Sequence, residues 1–304
     1  MPRIAANAIE LHYEVHGAEH APTLLMIMGL GAQLTRWNRG LCELLVERGF
    51  RVLRFDNRDC GLSTRCAELP RPDIGAILRG EPLAELPYTL ETMAADCVGL
   101  LDALGIEQAH LVGASMGAAI AQIVAATYPQ RALSLTSIMS TSGNPQLPPP
   151  TPAAVTALFA PLPQANDRAG VIANAIARHL PIASPAYPTP IDELQTLFGD
   201  EHDRGYYPPG VARQLGAVLA GGDRRALLKK ISCPTVVLHG RDDPLLLPDC
   251  AHDVASQIAG AQLRLIDGMG HDFPAALAPV FADAICAAAK VSGDQAPADD
   301  CSRR

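Results

Sequence analysis

The sequence predicts an α/β fold: a mostly parallel central sheet flanked by helices, with one helical cap inserted into it. Three observations carry this. Short apolar runs such as TLLMIM (Thr23–Met28), AHLVG (Ala109–Gly113) and TVVLHG (Thr235–Gly240) alternate with segments of helical length. Strands buried on both faces, joined by helical crossovers, are the pattern of a parallel sheet. The alternation breaks once, between Ser142 and Gly222, where 13 of the 26 prolines fall and no convincing strand is found, and then resumes. At 304 residues the chain is long enough for one large domain carrying such an insertion.

Each element follows in order. Arg3–Ala6 and Ile9–His16 are extended, and Thr23–Met28 is a buried strand ending at Gly29. Leu34–Glu47 reads as one helix, with Trp37, Leu41, Leu44 and Leu45 at helical spacing and Gly49 as its C-terminal stop. Arg51–Phe55 is a strand, Thr89–Leu104 an amphipathic helix, Ala109–Gly113 a strand, Met116–Thr127 a helix and Leu133–Met139 a strand. Helical fragments in the proline-rich block fall at Ala153–Phe159, Val171–His179, Ile191–Phe198 and Val211–Leu219. Beyond it come strand Thr235–Gly240, a helix near Pro248–Ile258, strand Leu263–Asp267 and helix Pro274–Ala289. The plan is a core over 1–141 and 223–290, a cap over 142–222, and a polar tail over 291–304 expected to be disordered.

Composition narrows the function classes. With 48% apolar and 18% charged residues the chain suits a soluble globular protein, and 4% aromatics make its core aliphatic. A net charge of −8 without a basic run argues against a nucleic-acid surface. Nowhere do apolar residues run long enough for a membrane span. The N-terminus shows no secretory h-region or cleavage site, so a cytoplasmic location is expected. The eight scattered cysteines then read as free thiols, with a Cys60–Cys66 disulfide as the main alternative. A homodimer is left open.

The chemistry centres on GASMG, Gly113–Gly117, a G-x-S-x-G pattern between a strand and a helix. That context is the nucleophile elbow, in which a sharp turn holds the serine in strained backbone and leaves no room for side chains two residues away. Ser115 then stands at a helix N-terminus, where developing negative charge is favoured. A serine hydroxyl needs a base. Of nine histidines, His271 in DGMGHDFP lies after a strand and before the last helix, at the same sheet edge; the other eight read as ordinary core or surface residues. The imidazole needs an acid to fix its tautomer. HGRDDP offers Asp242 and Asp243, of which Asp243 is chosen, Asp242 reading as a solvated turn carboxylate. Two backbone N–H groups should hold the oxyanion: Met116, directly after the nucleophile, and Leu30 in the loop MGLG.

With these residues assembled, the sequence resembles the α/β-hydrolase superfamily over nearly the whole chain outside the cap and tail. IMGLGAQLTRW (Ile27–Trp37) and RFDNRDCGLST (Arg54–Thr64) look like the bacterial esterases grouped with aclacinomycin methylesterase. The resemblance implies an α/β-hydrolase fold with Ser115 as nucleophile, Asp243 as acid, His271 as base, and Leu30 and Met116 as oxyanion donors. Asp56, Arg58, Gly61 and Ser63 match a turn that is mostly structural in the family. Met28 stands where the family usually has a histidine, so one brace of the oxyanion loop is missing.

The expected activity is hydrolysis of a small-molecule carboxylic ester with a small-to-medium acyl chain, through an acyl-enzyme, with no metal or organic cofactor. A polyketide-like methyl ester, lactone, thioester or C–C bond cleaved by the same triad is the enzymatic alternative, and a ligand receptor on this fold the non-enzymatic one. Leu158, Phe159, Leu162, Leu194, Leu197, Phe198, Tyr206 and Tyr207 are candidate pocket walls in the cap.

Overall fold

Eight strands form one sheet in the computed structural model, which describes residues 2–81 and 86–293. They are β1 (Arg3–Ala6), β2 (Ile9–His16), β3 (Thr23–Ile27), β4 (Arg51–Phe55), β5 (Ala109–Ala114), β6 (Ala132–Ile138), β7 (Thr235–Gly240) and β8 (Gln262–Ile266). Their order across the sheet is β1-β2-β4-β3-β5-β6-β7-β8. β1 with β2 and β2 with β4 are antiparallel; every other pairing is parallel. All residues of β3 and β5 are buried, as continuous apolar runs in a covered parallel sheet require.

The helices are α1 (Arg39–Glu47), α2 (Ile74–Leu78), α3 (Leu90–Ala103), α4 (Met116–Thr127), α5 (Pro152–Phe159), α6 (Arg168–His179), α7 (Ile191–Gly205), α8 (Pro208–Ala220), α9 (Arg225–Leu228), α10 (Pro248–Gln257) and α11 (Ala278–Gly293). The period of two along β3 sorts its side chains between two layers. Leu25 and Ile27 pack with α3, α4 and α10, while Leu24 and Met26 pack with α1 and α11. Helices α5 to α8 all fall between β6 and β7. No helix among the described residues is long and apolar enough to cross a membrane.

Several boundaries differ from the sequence reading, each for a local reason. Leu34–Glu47 is not one helix: Leu34–Arg36 is a 3-10 turn, and α1 starts only at Arg39. Asn38 makes the break, its side-chain oxygen accepting from the N–H groups of Gly40 at 2.8 Å and Leu41 at 3.4 Å. Helix α7 runs past Phe198 to Gly205, because its polar last turn is held by partners distant in sequence. Arg168 grips Asp203 at 2.7 and 2.8 Å, and Arg36 binds Glu201. Helix α8 opens on Pro208 and Pro209, a position where a missing N–H costs nothing. The short α2, capped by Asp73, has no counterpart in the sequence reading. The tail expected from residue 291 begins inside α11, and residues 294–304 lie outside the described residues. Cys60 and Cys66 are both free, buried thiols, and burial pushes the Cys66 thiol up to about 11.

Candidate active site

Ser115 occupies a single-residue bend between β5 and α4, with φ 54° and ψ −118°. Positive φ at a residue bearing a Cβ costs about 1–3 kcal/mol and persists only where the surroundings enforce it. Here Ser115 N donates to Ile138 O at 2.9 Å, and Ser140 Oγ donates to Ser115 O at 2.9 Å. The two flanking glycines serve different clearances. A Cβ on Gly113 would lie 2.3 Å from Gly117 O, inside the start of α4. A Cβ on Gly117 would lie 2.0 Å from Ile27 O, inside the end of β3. One glycine lets the helix turn back over the strand; the other lets it sit against the neighbouring loop.

Asp243, after β7, and His271, after β8, are brought to this bend. His271 Nδ1 is 2.7 Å from Asp243 Oδ2, and His271 Nε2 is 3.0 Å from Ser115 Oγ. A carboxylate only accepts, so Nδ1 carries the proton, and the Nε2 lone pair is left to receive the serine hydroxyl. Asp243 is 1% exposed. Burial alone would raise its pKa, but electrostatic attraction to His271 and hydrogen bonds from the His239 and His271 rings hold it well below the usual carboxylate range. Its other oxygen accepts from Leu245 N and Leu246 N, each at 2.9 Å. Asp242 instead accepts from Gly268 N at 2.7 Å on the exposed side of the turn. His239 is buried; its Nε2 donates to Leu246 O at 2.7 Å and approaches Asp243 Oδ2 at 3.3 Å.

The N–H groups of Leu30 and Met116 have no hydrogen-bond partner among the described residues. Their loops meet at Gly29, where a Cβ would lie 3.2 Å from the Ser115 Cβ. The loop around Met28, where the resemblance implies a histidine brace, is held by bonds that no local motif announces. Asn57 Nδ2 donates to Met28 O at 2.9 Å, and Gln214 Oε1, from α8, accepts from Gly31 N at 2.8 Å. Gln214 is itself fully buried and donates to Arg58 O at 2.8 Å. Replacing Gln214 with alanine is expected to lower kcat about 10- to 100-fold with little change in KM, because it would displace the Leu30 N–H, which the sequence reading expects to hold the oxyanion. Steady-state kinetics checks this; an unchanged kcat would show that the loop holds itself.

A cavity of about 820 Å³ opens above Ser115, between the sheet edge and α5 to α8. Of the candidate walls, all line it except Phe159, which is turned to solvent at 37% exposure. The turn after β4 docks the roof of this cavity. Asp59 binds Arg213 of α8 through two bonds of 2.8 and 2.9 Å, and Asp56 meets Arg204 of α7 at 2.7 Å. Gly205 and Gly210 let the two helices close onto this turn, since a Cβ on either would sit within 2.5 Å of Gly61 O or Asp59 O.

The comparisons with known proteins agree with this architecture. The family model described as the alpha/beta hydrolase fold matches residues 22–182, and the chain belongs to that family. It is similar to rhodomycin D methylesterase DnrP of Streptomyces peucetius, at 27% identity over 93% of this chain and 96% of that one. It is 30% identical, over 89% of this chain and 92% of the other, to RutD of Variovorax paradoxus (strain S110), which bears the name of a carbamate hydrolase. Among solved structures, the enol-lactonase from Burkholderia xenovorans LB400 superposes with a TM-score of 0.73, covering 95% of this chain and 100% of that one. At 24% identity that match speaks for the fold alone.

Proposed function

We propose that the protein hydrolyses carboxylic esters through an acyl-enzyme on Ser115. The observation that carries this is the line from Asp243 through His271 to Ser115, at 2.7 and 3.0 Å. Ser115 Oγ attacks the ester carbonyl as His271 Nε2 takes its proton, and Asp243 stabilises the imidazolium. The oxyanion accepts from the Leu30 and Met116 N–H groups, the latter in the first turn of α4. His271 then protonates the departing alkoxide and, in the second half, activates water to release the acid.

The size of the cavity favours a particular ester. At about 820 Å³ it lies toward the upper end of small-molecule pockets, so a short acyl chain leaves most of it empty. A larger, mostly apolar substrate fills it, and the relative named a rhodomycin D methylesterase supports a bulky acid on a small alcohol in place of the small-to-medium acyl chain expected from the sequence. The test is a panel of p-nitrophenyl esters from acetate to decanoate beside the methyl ester of a polycyclic aromatic acid. The highest kcat/KM is expected for the polycyclic methyl ester. Tight binding of the whole panel without turnover would support a ligand receptor instead.

A further inference from the structure

The base is carried by a loop that leaves an edge strand. Among the described residues β8 pairs with β7 alone, at the edge of the sheet. The loop's support comes from the segment joining α6 to α7. His271 N donates to Ile182 O at 2.7 Å, Gly270 N donates to Ser184 Oγ at 2.9 Å, and Ala186 N donates to Gly268 O at 3.1 Å. Ser184 in turn donates to Asp272 Oδ1 twice, from its N at 3.2 Å and from its Oγ by a short bond. Ser184 is 1% exposed and Asp272 7%. The approach leaves no slack, since a Cβ on Gly270 would fall 2.5 Å from Ile182 O.

We propose that Ser184 and Asp272 are positioning residues for His271. The hydroxyl of Ser184 receives the backbone N–H one residue before the histidine and passes its own proton toward the carboxylate one residue after it. Ser184 thereby ties the Met269–Gly270 peptide to the carboxylate of Asp272, while Ile182 O holds the N–H of His271 itself, so the loop is gripped on both sides of the histidine. Among the described residues the ring bonds to Asp243 and Ser115, and the backbone tie sets the position from which Nε2 reaches Oγ. The α6–α7 segment is in this sense part of the catalytic machinery as well as of its roof. Asp272 Oδ2 has no hydrogen-bond partner among the described residues and lies 3.6 Å from His179 Nε2, so Oδ1 alone carries the tie.

This inference rests on His271 acting as the base, and the experiment separates the two. Wild type, Ser184→Ala, Asp272→Ala, Asp272→Asn and the double alanine variant are assayed on p-nitrophenyl butyrate, labelled with a fluorophosphonate, and melted to verify that each is folded at the assay temperature. Each alanine variant is expected to lose about 10- to 100-fold in kcat and in labelling rate, with KM within about threefold. The double variant should fall little below the worse single one, because both changes cut the same chain of bonds. Asp272→Asn keeps an acceptor at Oδ1 and should recover most of the loss. Alanine variants that keep wild-type kcat, a loss confined to KM, or an asparagine variant as weak as the alanine would each overturn the proposal. Failure of wild type to label at Ser115 would instead sink the hydrolase reading.

Discussion

Ser115→Ala is expected to lower ester turnover by roughly 10⁴- to 10⁶-fold, the loss seen when the nucleophile of an interdependent triad is removed. The change is small in every other respect. It deletes one oxygen at a bend whose backbone is held by Ile138 O and Ser140 Oγ, neither of which touches the lost hydroxyl. Fold and pocket should therefore persist, and ligand affinity should change little. The activity that remains reports the oxyanion donors and binding alone. Turnover of a chromogenic ester checks the loss, and mass spectrometry after phosphonate treatment checks the site. Equal, slow hydrolysis by both proteins, or a label on a residue other than Ser115, would refute the assignment.

Arg213→Met is expected to cost about 3–5 kcal/mol of stability, because it strands a carboxylate in the interior. The Asp59 side chain has no solvent exposure and the Arg213 side chain 2%. Asp59 also accepts from Cys66 N at 2.8 Å and from Tyr88 Oη at 2.9 Å. Those neutral donors remain in the variant but cannot balance the charge. The double variant Asp59→Asn/Arg213→Met should regain much of the loss, since the neutral amide leaves no stranded charge, keeps an acceptor for Cys66 N and Tyr88 Oη, and tolerates the φ of 63° at this position. Urea unfolding measures both. A single-variant midpoint equal to wild type would show that the pair contributes nothing to docking α8. Activity should fall with stability, because Gln214, next in sequence, braces the loop proposed to hold the oxyanion.

The two kinds of result differ in how far they could be read from residues alone. The strands of the core and Ser115 were legible because their signals are local. An apolar run of strand length needs no partner to be recognised, and the elbow glycines stand within two residues of the serine they serve. The placement of Asp243 and His271 beside Ser115 was legible by position, since each follows a core strand and parallel strands end at one edge. Helix α7 was cut short at Phe198 because the residues that hold its polar end, Arg36 and Arg168, are remote in sequence. Gln214, Ser184 and Asp272 carried no signal beyond the adjacency of Asp272 to His271.

The sequence by itself determined the class of sheet, the order of the candidate site residues along the chain and the bend that presents Ser115. Periodicity, glycine clearance and strand ends act over a few residues, so composition along the chain suffices to express them. Only the tertiary structure decided what braces the oxyanion loop, what ties down the histidine loop and how large a cavity the helices enclose. Those depend on hydrogen bonds between residues up to 183 positions apart, as Gly31 and Gln214 are, and such pairs are chosen by packing rather than by neighbours in the chain.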